Sequence, residues 1–192
     1  MQRVIGGFEM RGQIIGGCAL LFAGAALAKG VSEPYATVDR WEIETKDQNC
    51  VMRRSYPATA KDGEEGLIVL YDAQREVVAL GWVARKPALP PLRDSLDFDL
   101  DFLKGSSLNE KWGSQSFKIE KTGDAYTYMH VFMGSTESDR FLRDLASHDA
   151  IALFFGPSLL TSLPLRSPDA VAKLRQCAAK IAERDTSDVL QK

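Results

Sequence analysis

The chain has 192 residues, with 24 Lys and Arg against 26 Asp and Glu and a formal charge of −2. Neither sign gathers into a long block. That excludes the dense positive patch a nucleic-acid or polybasic membrane-binding surface requires. The length suits one domain with a substantial hydrophobic core.

Residues 14–28 are an apolar run behind Arg11 that ends in Ala26-Leu27-Ala28, the small-x-small pattern a signal peptidase reads. At about 15 residues with an Ala/Gly-rich end, the run is too short for a stable membrane span. Residues 1–28 are therefore expected to be a cleaved signal peptide. The mature protein then starts at Lys29 in a periplasmic or secreted, oxidising location. Met10 is an alternative start to Met1, because Met10-Arg11 makes a short positive leader of its own. Cys18 precedes most of the apolar run, whereas a lipoprotein cysteine follows it. Removing Arg3, Glu9 and Arg11 with the leader leaves 22 basic against 25 acidic residues. No second apolar stretch reaches membrane-spanning length.

In the mature chain, residues 29–38 lack an apolar period and contain Pro34, which predicts a loose leader. Residues 39–184 read as a single β-rich domain and 185–192 as a polar tail. The first predicted strand, 39–45, sets Trp41 and Ile43 on one face. After a turn at 46–49 a second strand puts Cys50, Met52 and Tyr56 on one face, with Arg54 as the exception. Residues 57–66 predict a polar loop. Residues 67–71 and 76–84 predict a hairpin around Asp72-Ala73-Gln74-Arg75. The proline-rich stretch 86–91 predicts a stiff crossover, since proline cannot donate to a ladder.

Residues 95–104 then alternate Leu96, Phe98, Leu100 and Phe102 with Asp97, Asp99 and Asp101, one face buried and one wet. A loop at 105–113, a strand at 115–122 and a turn at Gly123-Asp124 follow. The strand 125–133 is apolar or aromatic on both faces. A helix capped by Ser135 or Thr136 carries Phe141, Leu142 and Leu145. Strands at 150–155 and 159–165 flank Gly156-Pro157. Ser167-Pro168-Asp169 opens a last helix with the buried stripe Val171, Leu174, Cys177, Ala178 and Ile181. The pattern predicts a mainly β fold (β-rich α+β), an antiparallel sandwich or curled sheet with two late helices.

Two cysteines remain in the mature chain, Cys50 and Cys177. An even count in an oxidising compartment predicts a disulfide, the alternative being two separate buried thiols. Closing a loop of that length allows up to ~5 kcal/mol of stabilisation. Tyr126, Tyr128, His130 and Phe132 share one strand face, with Thr127, Met129, Val131 and Met133 opposite. This is either a central strand covered on both sides or an aromatic binding platform on which His130 supplies polar contact. Asp97, Asp99 and Asp101 on a straight strand cannot wrap around a calcium ion, so they read as a solvated face and no metal is expected. His148 reads as a capping residue at a helix end. There is no G-x-S-x-G elbow and no phosphate-cradling loop, so neither a catalytic residue nor a cofactor is assigned.

The layout resembles small secreted alphaproteobacterial proteins of the invasion-associated locus B type. The shared features are the signal peptide, the strand Trp41-Glu42-Ile43-Glu44, Cys50-Val51-Met52 and the late segment Leu165-Arg166-Ser167-Pro168-Asp169-Ala170. Thr45 stands where that family tends to place a cysteine, and the family's central cysteine pair is absent. The resemblance implies a non-enzymatic periplasmic or surface protein and carries over no functional residue. The expectation is an exported binding or envelope-interaction protein whose partner is an envelope protein or a small ligand. The rival expectations are a periplasmic hydrolase with a non-standard site around His130 and a structural assembly subunit.

Overall fold

The computed structural model describes residues 32–59, 63–85, 89 and 93–189. The expected signal peptide lies outside the described residues, as does most of the proline-rich crossover. Ten strands are present: β1 (Ser32–Val38), β2 (Trp41–Lys46), β3 (Asn49–Thr59), β4 (Gly63–Asp72), β5 (Val77–Ala84), β6 (Ser95–Lys104), β7 (Ser107–Thr122), β8 (Ala125–Met133), β9 (Ala150–Phe155) and β10 (Ser158–Pro164). They form one sheet in the order β1-β2-β3-β4-β5-β8-β7-β6-β9-β10, and every pairing is antiparallel. The architecture is therefore the curled sheet and not a two-sheet sandwich.

The curl follows from where the bulky residues lie. Trp41, Met52, Leu67, Leu80, Tyr128, Phe117, Phe98 and Leu153 all belong to one buried core, so the sheet bends around the face that carries them. Helix α1 (Ser135–Ser147) packs on β5 and β8, and α2 (Pro168–Val189) packs on β1 to β4. Phe141, Leu142 and Leu145 of α1 are buried, as are Val171, Leu174, Cys177 and Ala178 of α2, while Ile181 packs against the core from its margin. Both helical stripes are as the 3.6-residue period predicts. Cys50 and Cys177 stand in disulfide geometry with Cα atoms 6.0 Å apart, linking β3 to α2.

The curl brings the far edge of the sheet back to its beginning. Trp41 Nε1 donates to the Leu165 carbonyl at 3.1 Å, and Tyr56 Oη donates to the Pro164 carbonyl at 2.8 Å. Arg54 Nη1 also donates to the Leu165 carbonyl. Further along, Thr161 Oγ1 donates to Glu65 at 2.9 Å. Side chains of β2, β3 and β4 thus tie down β10 and the segment after it in place of a backbone ladder. This accounts for Arg54, the charged residue on an otherwise apolar strand face.

Five expectations change. Residues 32–38 of the loose leader are strand β1. Pro34 is accommodated because β1 is an edge strand with an irregular register between Pro34 and Ala36, the setting that tolerates a missing N–H. The loops expected at 57–66 and 105–113 shrink as β3, β4 and β7 run further. In β7 the pairs Leu100↔Gly113 and Asp101↔Lys111 leave Trp112 as an extra, bulged residue, with Gly113 at φ 68° supplying the left-handed turn. The first helix is capped by Gly134 with no side-chain bond; Ser138 Oγ instead donates to the Glu76 carbonyl. Ser167 Oγ does not cap α2 either but donates to the Leu145 carbonyl, joining the two helices. Finally, α2 continues to Val189 into the expected polar tail, because extending a formed helix adds one backbone bond per residue.

The acidic strand face is only partly wet. Asp97 and Asp99 are exposed, but Asp101 retains only 7 % exposure beside the irregularity that follows Leu100. Burial raises its carboxyl above the ordinary range, and nearby Lys111 lowers it by less. A raised folded-state pKa favours the protonated form, so the ionised group opposes folding once the pH exceeds the unfolded value. Asp101→Asn is expected to stabilise the protein at pH 7 by less than about 1 kcal/mol. That gain should fade below the ordinary carboxylate pKa, where both states of the wild type are protonated. Urea titrations at pH 7 and pH 3 check it, and a gain at pH 3 as large as at pH 7 contradicts the assignment.

Candidate binding surfaces

Strand β8 is central, hydrogen-bonded to β5 on one side and β7 on the other. Its alternation sends Tyr126, Tyr128, His130 and Phe132 to the concave face. Tyr128 and Phe132 are completely buried there. Tyr128 stacks on Trp82 at 4.8 Å and meets the edge of Phe98 at 5.5 Å. Phe132 stacks on Phe141 of α1 at 4.3 Å and meets Trp112 edge-on at 5.0 Å. Neither ring has a face left for a ligand.

Tyr126 and His130 are half-buried. The Lys121 ammonium lies 5.5 Å from the Tyr126 ring centre. His130 sits against Phe117 and Phe132, and its Nδ1 is 2.9 Å from the Ser116 carbonyl oxygen. A carbonyl only accepts, so Nδ1 carries the proton and Nε2 is an acceptor in the neutral ring. His148, the C-cap of α1, is engaged at both nitrogens: Nδ1 with the Asp144 carbonyl and Nε2 with the Asn109 amide, each at 2.8 Å. It orients the end of a helix. Among the described residues, no three His, Cys, Asp or Glu side chains gather as a metal site would require.

The convex face is different. Val51↔Leu70, Leu70↔Ala79 and Ala79↔Val131 are successive cross-strand partners, and so are Ile68↔Gly81 and Gly81↔Met129. An apolar band therefore crosses β3, β4, β5 and β8. It is nearly closed at Val51 and Ala79, and opens at Val131 (44 % exposed) and Met133 (71 % exposed). On the β2 side the band is bordered by Arg53, which pairs with Glu42 at 2.9 Å and Glu44 at 3.1 Å. On the other side it meets Lys118, the partner of Met129. The signal for this surface was present in the sequence as the second apolar set of β8. What the sequence does not show is that the band stays exposed at Val131 and Met133 while it is buried at Val51 and Ala79.

Among the described residues, two buried polar side-chain atoms lack a hydrogen-bond partner, Tyr128 Oη and Arg54 Nε. Burial pushes the Tyr128 phenol up to about 12, so it stays protonated at physiological pH. An unpaired buried hydroxyl costs about 1–3 kcal/mol. Tyr128→Phe keeps the ring stack and removes the orphan, and is expected to stabilise the protein by about 1 kcal/mol. Chemical denaturation measures this directly, and a clear loss of stability would mean that the hydroxyl has a partner.

Comparison with protein-family models, curated proteins and solved structures finds no match for this chain.

Proposed function

We propose that the chain is exported to the periplasm or beyond and acts there by binding a protein partner of the envelope, without catalysis of its own. The observation that carries this reading is the exposed apolar end of the convex band at Val131 and Met133. Contiguous apolar surface rimmed by polar groups marks an interaction site. The rim mixes Glu42, Glu44 and Arg53 with Lys118, which suits a protein surface better than an anionic lipid surface, where a basic excess is needed. The signal-like leader, the Cys50–Cys177 pair and the resemblance to invasion-associated locus B proteins support the extracytoplasmic address. Among the described residues no helix is long and apolar enough to cross a membrane.

A photo-crosslinking residue at position 131 is expected to trap one protein adduct in the native host, while the same residue at Asp97 on the same side of the sheet traps none. Val131→Glu combined with Met133→Glu should abolish binding of that purified partner and leave the fold intact by circular dichroism. Equal adducts from both positions would remove the convex band from consideration. The mass of the native protein tests the address: it should begin at Lys29, and a chain retaining residues 14–28 contradicts export by cleavage.

A further inference from the structure

Arg54 is the least satisfied charged group in the described core. It is 8 % exposed, and its guanidinium lies 5.9 Å from the centre of the Trp41 ring and 5.1 Å from that of Tyr56. Nη1 donates to the Leu165 carbonyl, and among the described residues this is the only hydrogen bond the group makes. Nε is fully buried with no acceptor. No carboxylate of the described residues pairs with Arg54. The nearby Glu65, which acts electrostatically on Tyr56 as Arg54 does, accepts from Trp82 Nε1 at 3.1 Å and Thr161 Oγ1 at 2.9 Å.

A guanidinium presents two forks. The Nη1 side is taken by Leu165, which leaves the Nε–Nη2 edge. Two parallel N–H groups at that spacing match the two oxygens of a carboxylate. A buried cation without an anionic partner is unfavourable, and the aromatic rings offset only part of that. Across the sheet Arg54 pairs with Leu67, Leu67 with Trp82 and Trp82 with Tyr128, so Tyr128 Oη, the other unpaired buried polar atom among the described residues, lies three strands away. Arg54 Nε is a donor, so an incoming acceptor at this end of the row satisfies what the chain itself does not.

We propose that the free Nε–Nη2 edge of Arg54 is the anchor of an internal site for a small monocarboxylate, entered where β10 closes over β3 and β4. This site lies on the face opposite the convex band and stands independently of the docking reading. The closure over it is held by the side-chain bonds to Pro164, Leu165 and Glu65, without a ladder, so it can open without breaking a strand pair.

The probes are sodium benzoate and sodium acetate, set against sodium chloride and neutral benzamide at matched ionic strength. Thermal unfolding of the full mature protein should show saturable stabilisation by benzoate and, more weakly, by acetate, following RT ln(1 + [L]/Kd), with none from chloride or benzamide. Arg54→Lys retains the charge and lacks the fork, and it should lose the benzoate effect. Where that variant does not fold, ¹⁵N NMR of the wild type decides: the Arg54 Nε–H resonance should shift on benzoate titration and not on chloride titration. Carboxylates acting no better than chloride, an Arg54→Lys variant that keeps the full shift, or an unmoved Nε–H resonance would each overturn the site.

Discussion

Replacing Cys50 and Cys177 together by Ala is expected to cost about 2–5 kcal/mol of unfolding free energy. The two residues are completely buried, their Cα atoms are 6.0 Å apart, and 127 positions separate them in sequence. A bond between them holds α2 against β3, and through α2 it helps cover β1 to β4 on the concave side. In the unfolded chain the same bond closes a long loop, so its loss enlarges the ensemble that folding must order. Thiol labelling of the unfolded, unreduced protein should leave both Cys50 and Cys177 unlabelled. Two labelled thiols, or a double Ala variant within about 1 kcal/mol of the wild type, would mean that the pair is merely packed.

The parts of the fold legible in the sequence are those set by local periodicity. Alternation placed Trp41, Ile43, Cys50, Met52 and the Phe98–Phe102 stretch on the buried face, and the 3.6-residue period found the stripes of α1 and α2. The hairpin around Asp72 was legible because Asp72 can bond its own turn, and Oδ1 accepts from the Gln74 and Arg75 amides at 3.1 and 3.0 Å. What periodicity misses is long-range. Whether strand-like residues 32–38 pair depends on β2 offering an edge, and Trp112 is a bulge only because β6 opposes it two-against-one. Arg54 was visible as an exception to the alternation. Its reason lies more than a hundred residues away in the Leu165 carbonyl, and sequence spacing carries no such information.

The choice between the two faces of β8 is of the same kind. The sequence left the aromatic face as either core or platform, and the curl of the sheet decides it for Tyr128 and Phe132 alone, which are buried, while Tyr126 and His130 stay half-exposed.

That decision gives the second large effect. Phe132→Ala should destabilise the protein by about 3–5 kcal/mol, the usual cost of emptying a sealed aromatic site. Phe132 has no exposure and touches Phe141 of α1, Trp112 of β7 and His130 of its own strand, so none of the three can collapse fully into the space it leaves. Its neighbour Val131 points to the opposite side and is 44 % exposed, so Val131→Thr should change stability by no more than about 0.5 kcal/mol. Denaturant titration of the two variants measures the contrast on adjacent positions of one strand. Were Phe132 part of an open aromatic platform, its removal would cost little stability. A Phe132→Ala variant as stable as Val131→Thr would place the working surface of β8 on its concave side.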